Sequence, residues 1–214
     1  MGWRLVGASS AYVRLRSSEH LSMIAIMSAL ALVGNYALVA IPNVELGTTV
    51  LFVTASVFGF STALTCVILM SIVYSWFNPW GAFVPQIWLG QVCGWILIVA
   101  LGAYMGSRLW KRNNRAHLVV LTLAGALGTF YFDLVTNIAW SWTTGIPIGA
   151  VLVTGIPFML MHVVSNAVLF PLVTPPLHGA ITQVLKTGGP SDLSESDLRA
   201  EEQLSDSQEA HAES

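Results

Sequence analysis

Charged residues are sparse before Gly189, and this restricts the fold more than any other feature of the sequence. Eight of the eleven acids follow Gly189, which leaves only Glu19, Glu45 and Asp133 before it. The chain of 214 residues is 9% charged and 55% hydrophobic, whereas a soluble domain is about 25% charged. Such a deficit predicts an all-α integral membrane protein with several spans, because helices satisfy their own backbone hydrogen bonds in lipid.

The apolar stretches predict six transmembrane helices, of which the second is short. The stretch Thr48–Phe77 would form a helix of about 45 Å, too long for one ordinary span and too short for two full ones. We therefore predict two helices with a turn at Gly59-Phe60-Ser61. The other spans are predicted at 21–41, 85–106, 117–142 and 151–173, with Pro175-Pro176 ending the last helix.

The distribution of basic residues decides the predicted topology. Lys and Arg concentrate in cytoplasmic loops. They occur here before residue 17, between residues 106 and 116, and after the last span. These three regions share one side only if Thr48–Phe77 crosses twice, which places both termini in the cytoplasm. We expect a multi-pass protein of the plasma membrane, in contact with the lipid bilayer.

Three regions follow from this topology. Residues 1–19 form a cytoplasmic segment, residues 20–178 the membrane domain, and residues 179–214 an acidic cytoplasmic tail that we predict to be disordered. The formal net charge of −2 is mostly a property of that tail, so it gives no indication of nucleic-acid binding. Cys66 and Cys93 lie in apolar runs and are interpreted as small core residues. No cofactor or metal site is predicted.

Two polar interruptions bound the segment Ile41–Gln91. They contain candidate ligand-binding residues, namely Asn43, Glu45, Trp76, Asn78, Trp80, Gln86 and Gln91. Other interpretations stay open: Glu45 is equally a solvated carboxylate near a helix N-terminus, Asn43 a turn residue, and each Trp a member of the interfacial belt. A buried amide such as that of Gln91 is costly in lipid without a partner, which favours a nearby cavity.

The fifth and sixth helices carry further candidates. Asp133, Asn137 and Trp140 are spaced i, i+4, i+7 and share a helix face, and His162 and Asn166 are one turn apart. An acid within a span points inward, to a partner or to a water-filled site. Asp133 is thus either part of a binding site or half of a structural clamp with His162, which could equally be a neutral core histidine.

The first helix contains Ala25 and Ala29, small residues four apart that permit close helix approach. Their spacing alone favours packing inside the bundle over docking on a separate membrane subunit. Elsewhere, the sequence contains no G-x-x-x-x-G-K-[ST], G-x-S-x-G or H-E-x-x-H motif. ATP hydrolysis by a phosphate loop is therefore excluded, and no hydrolase motif is present.

Several motifs in order resemble those of the substrate-specific (S) components of energy-coupling factor (ECF) vitamin transporters. They are the loop Pro42–Leu46, the Phe58-Gly59 turn, Asn78-Pro79-x-Gly81, Phe132–Asn137, and Pro157-Phe158 with His162 and Ser165-Asn166. The resemblance covers about Leu21–Leu177. The chain departs from the family where Gly59–Ala63 replaces a Gly-Pro-x-x-Gly pattern, and the acidic tail is not a family feature.

The resemblance implies a binding subunit without catalytic activity that captures a vitamin or cofactor precursor at its outer face. Its implied partners are a transmembrane T component, which Ala25 and Ala29 would contact, and two ATPases. The many Trp and few cations favour a neutral or cationic, partly aromatic ligand over a phosphate. The alternatives are an intramembrane enzyme that uses Asp133 and His162, and a solitary small-molecule transporter.

Overall fold

A computed structural model describes residues 17–79, 81–110 and 115–187. These form six helices and no strand: α1 (Ser17–Ala37), α2 (Gly47–Phe58), α3 (Phe60–Trp76), α4 (Pro85–Trp110), α5 (Arg115–Thr144) and α6 (Ile148–Thr187). The predicted all-α fold with six helices is confirmed for this part of the chain. Trp80, most of the predicted N-terminal segment and most of the acidic tail lie outside the described residues.

Four helices are long and apolar enough to cross a membrane. The candidate spans are Ser18–Ala37, Pro85–Gly106, Ala116–Thr144 and Ile148–Leu185. The other two helices are shorter. With 12 and 17 residues, α2 and α3 extend only about 18 and 26 Å, against about 30 Å for the hydrocarbon core.

The short helix α2 is enclosed by other helices. All of its 12 residues are buried, and α1, α3 and α4 pack around it. Since it has no lipid-facing side, its length does not have to match the bilayer thickness. This enclosure explains how an uncharged stretch too short for two full spans still forms two helices.

The break between α2 and α3 is a single residue, Gly59, at the start of the predicted turn Gly59-Phe60-Ser61; Phe60 and Ser61 already belong to α3. Its backbone has φ 89° and ψ 172°, a region that is essentially restricted to glycine. The Gly59 amide still bonds to Ala55 O at 3.0 Å, so the last turn of α2 stays closed while the chain changes direction.

Contacts between neighbouring helices show that successive helices of the unit Met1–Pro175 run in alternating directions. Asn35 near the end of α1 meets Gly47 at the start of α2, and Trp88 near the start of α4 bonds to Ser71 late in α3. The same order holds for the last pairs: a Cβ on Gly90 would meet Ala139, and one on Gly125 would meet Asn166. The α1–α2, α3–α4 and α5–α6 loops therefore lie at the same end of the helices.

Two predicted helix ends are wrong. Helix α1 ends at Ala37, not at Ile41, because the α1–α2 loop folds back and Leu46 N donates to Gly34 O at 3.2 Å. Pro175-Pro176 does not end α6, which continues to Thr187. Proline has helix-compatible φ, but it removes one hydrogen bond and its ring crowds the carbonyl of the preceding turn; membrane helices tolerate this because other groups satisfy the freed backbone atoms. The chain nevertheless divides into two compact units between these prolines.

Candidate functional site

The α1–α2 loop, residues 38–46, is tethered to α6 at two points. The Asn43 side-chain Nδ2 donates to Phe158 O at 3.1 Å, and the Ser165 hydroxyl donates to Asn43 O at 3.2 Å. Asn43 has φ 59°, a left-handed conformation that asparagine tolerates better than most residues. This conformation allows the backbone and side chain of one residue to bond to different turns of α6.

Beneath this loop lies an acid–histidine cluster, defined here as Glu45, Asp133 and His162. The His162 imidazole Nδ1 is 2.8 Å from Asp133 Oδ1, and its Nε2 is 3.7 Å from Glu45 Oε1, too far for a hydrogen bond. The side chains are 6%, 9% and 14% exposed for His162, Asp133 and Glu45, respectively. One imidazole therefore joins α5 and α6 and faces the loop carboxylate.

Glu45 is the member of the cluster that lies outside the helices. Burial acts to raise the pKa of its carboxyl, but the adjacent His162 and the Thr48 hydroxyl outweigh burial, so the pKa lies below its usual value of 4.5. The Thr48 hydroxyl donates to Glu45 Oε1 at 2.5 Å, a length typical of a charge-assisted bond. Glu45 is thus held as a carboxylate at neutral pH.

An aromatic layer supports the cluster from α4 and α5. The Trp95 indole, 1% exposed, donates to the Thr48 hydroxyl at 3.1 Å and packs on Phe132 with ring centroids 5.1 Å apart. The Phe132 and His162 rings are perpendicular, with centroids 5.7 Å apart. Sequence reasoning missed Thr48, Trp95 and Phe132 as supporting residues. The available signal was that a tryptophan in mid-helix needs a partner for its N–H.

Three buried polar atoms at this place have no hydrogen-bond partner within the described part of the chain. They are Asp133 Oδ2, His162 Nε2 and Asn166 Oδ1. Leaving such an atom unsatisfied costs about 1–3 kcal/mol, and native proteins do so rarely. These three are among nine such atoms in the described residues, and they lie beside the acid–histidine cluster, where a bound polar group would satisfy them.

A cavity of about 210 Å³ lies between the loop and α4, α5 and α6. Its lining residues are Asn43, Ile87, Asp133, Thr136, Asn137, Trp140, Gly155, Phe158 and Met159. Four of them are candidates from the sequence: Asn43, Asp133, Asn137 and Trp140. The i, i+4, i+7 face of α5 thus borders the cavity as its spacing indicates.

The other candidates lie in several places. Glu45 and His162 belong to the cluster beside the cavity, and Asn166, fully buried, follows His162 by one turn. The residues near the α3–α4 loop do not line this cavity: Trp76 is 65% exposed and stacks on Phe83, while Asn78 is half-buried, Gln86 exposed and Gln91 half-buried. Nothing is described for Trp80.

Ala25 and Ala29 are both exposed on α1. The buried face of this helix is formed instead by residues such as Met27, Ala31 and Asn35. The spacing of the two alanines alone favours packing inside the bundle, and this prediction is wrong, because both residues are exposed. Their face is open to lipid or to another membrane protein.

Within residues 17–79, 81–110 and 115–187, no three His, Cys, Asp or Glu side chains are placed to hold a metal ion. The cluster also lacks an aligned nucleophile, since the nearby Ser165 hydroxyl bonds to the His162 and Asn43 carbonyl oxygens. The arrangement can instead hold a proton or donate and accept hydrogen bonds.

Comparison with known proteins identifies no relative: no family model matches the chain, and neither the curated proteins nor the solved structures contain a match.

Proposed function

We propose that this chain is the substrate-binding membrane subunit of an ECF-type importer for a vitamin or cofactor precursor. The observation that carries the proposal is the mainly apolar cavity beneath the tethered α1–α2 loop, which Asn43, Asp133 and Asn137 border and which lies next to buried polar atoms without partners in the described residues. Buried carboxylate and imidazole groups within apolar helices are expensive, and a ligand site at the loop end of the bundle accounts for them.

The proposed topology has six spans, with α2 as an enclosed short span and both termini cytoplasmic. The alternating helix directions support it, because they put the three loops that lack Lys and Arg at one end and the basic α4–α5 connection at the other. By the distribution of basic residues, the cavity then opens to the outside of the plasma membrane. In such an importer, the exposed Ala25–Ala29 face of α1 would contact the T component, and ATPases would supply the energy.

Mass spectrometry of small molecules that co-purify with the chain tests this function. We expect one organic compound in stoichiometric amount, retained by Gly149→Ala and lost from Gly155→Ala. A Cβ at Gly155 meets Asn137 Oδ1 at 3.0 Å, whereas a Cβ at Gly149 has no atom within 4 Å. Gly149→Ala is therefore a matched control on the same helix. Absence of any bound compound from the wild-type chain would refute the function.

The enzyme alternative is favoured by one observation, the 2.8 Å contact between His162 and Asp133. It predicts that the purified chain converts its co-purified compound to a product and that Asp133→Asn stops this conversion. The binding-subunit proposal predicts release of the unchanged compound from both proteins. Uptake by cells that express this chain without any T component would support a solitary transporter instead.

A further inference from the structure

The polar groups around the cavity have donors that are already partly used. Asn43 Nδ2 donates to Phe158 O at 3.1 Å, and Asn137 Nδ2 donates to Asp133 O at 2.7 Å. The Thr136 hydroxyl donates to backbone oxygens of the preceding turn. Among the described residues nothing donates to Oδ1 of either asparagine. Acceptor positions therefore outnumber unused donors, even before the Asp133 carboxylate is counted.

The charges next to the cavity disfavour an anion. With both carboxylates ionised, the acid–histidine cluster carries one net negative charge when His162 is protonated and two when it is neutral. No Lys or Arg of the described helices lies near it in sequence or at that end of α4 and α5: Arg108 is in the last turn of α4, and Arg115 is the first residue of α5. Among the described residues, a carboxylate or phosphate would thus find no Lys or Arg near the cluster and a net charge of the same sign as its own.

The volume is sufficient for one ring with small substituents. A cavity of about 150 Å³ binds benzene in another protein, and this one has about 210 Å³. Trp140 and Phe158 supply aromatic surface, while Ile87 and Met159 supply aliphatic surface. A planar ring satisfies this lining better than a flexible chain, because fewer rotatable bonds must be ordered on binding.

We propose that the cavity binds a single-ring nitrogen heterocycle bearing an amino group, neutral or cationic, whose N–H groups donate to Asn43 and Asn137 beside the Asp133 carboxylate. Compounds of the same size that carry a carboxylate or a phosphate are rejected. This inference rests on the proposed function, since it assumes that the cavity is the capture site.

Isothermal titration of the purified chain with three probes of equal ring size tests the inference. The probes are 4-aminopyridine, pyridine, which has no N–H donor, and nicotinate, which carries a carboxylate. We expect 4-aminopyridine, a cation at neutral pH, to bind at least about tenfold more tightly than neutral pyridine, the equivalent of one charge-assisted hydrogen bond. Nicotinate should give no heat.

Two variants and one control localise the effect. Asn137→Leu should reduce the preference for 4-aminopyridine over pyridine, because one of the two amide acceptors is removed while the branched shape is kept. Gly155→Ala should weaken both probes by at least about tenfold, and Gly149→Ala should change neither. The glycine pair keeps the test valid if Asn137→Leu fails to fold.

The inference is overturned if nicotinate binds as tightly as 4-aminopyridine, if none of the three probes binds, or if Asn137→Leu leaves the amine preference intact. Its failure is distinguishable from failure of the proposed function. An anionic or multi-ring compound found in the purified chain would refute the ligand class and leave the capture function standing, whereas a chain without any bound compound would refute the function itself.

Discussion

Replacement of Asp133 by Leu is the most informative perturbation of the acid–histidine cluster. It removes the partner of His162 Nδ1, now at 2.8 Å, in a place where the two residues are 7% and 5% exposed. Breaking a buried pair by deleting one member costs about 3–5 kcal/mol in soluble proteins. Hydrogen bonds between membrane helices contribute less, about 0.6 kcal/mol on average and up to about 1.7.

Since this bond is short, largely buried and between ionisable groups, we expect Asp133→Leu to lower the free energy of unfolding by about 2–3 kcal/mol. His162→Leu should cost a similar amount, because Asp133 then remains buried without its partner. The double variant should cost about 1–2 kcal/mol less than the sum of the single variants, because neither polar group is left behind.

The assay is reversible unfolding of the purified chain in mixed micelles, followed by tryptophan fluorescence. Thr129→Val is the matched control: Thr129 lies one turn before Asp133 on α5, is 1% exposed and has a hydroxyl without a partner. Loss of that hydroxyl should be neutral or slightly stabilising. Strict additivity of the two Leu variants, or a cost for Asp133→Leu no greater than that for Thr129→Val, would refute the reasoning.

Two further predictions concern the loop and the helix packing. The pKa of Glu45 is lowered in the folded chain, so its carboxylate stabilises the fold above the unfolded pKa, and this stabilisation is lost as the pH falls through the folded pKa. Glu45→Gln should therefore flatten the fall of melting temperature between roughly pH 6 and pH 3. Superimposable curves of melting temperature against pH for the two proteins would contradict this. Gly102→Ala places a Cβ 2.5 Å from Phe52 O and should lower the free energy of unfolding by about 1–3 kcal/mol. In a thermal scan its melting temperature should therefore be lower than that of the control Gly149→Ala. Equal melting temperatures for these two variants would count against close α2–α4 packing.

The helices themselves were predictable, because their signals are local. Long uncharged runs specify apolar helices, and the Gly59 break is visible as the glycine where the Thr48–Phe77 run must divide. Two helix ends were predicted at the wrong residue. The end of α1 at Ala37 depends on a contact with the α1–α2 loop, and the continuation of α6 beyond Pro176 depends on the tolerance of membrane helices for proline. The carbonyl that would continue α1 accepts instead from Leu46, and no local rule shows this.

Parts of the candidate site were also predictable from local sequence signals. The spacing of Asp133, Asn137 and Trp140 on one helix face is a property of helix geometry alone, and the structure puts all three around one cavity. The roles of Thr48 and Trp95 were not predictable, because their hydrogen bond joins helices that are distant in sequence. The opposite exposure of Ala25 and Ala31 likewise depends on which side of α1 receives α2 and α3.

The sequence by itself thus determined an all-helical chain built for lipid, the approximate helix bounds and a small set of polar residues, since composition and period act within one segment. The sequence offered contact between Asp133 and His162 as one of two alternatives. The tertiary structure decided that they meet and that Glu45 faces the pair, and that Asn43 closes over α6 while the Trp76 and Gln86 side chains face outward. The physical reason is that burial and hydrogen-bond pairing are set by neighbours from other helices. Because the helices are apolar on their lipid-facing sides as well as on their buried sides, the sequence pattern gives little information about which helices pack together.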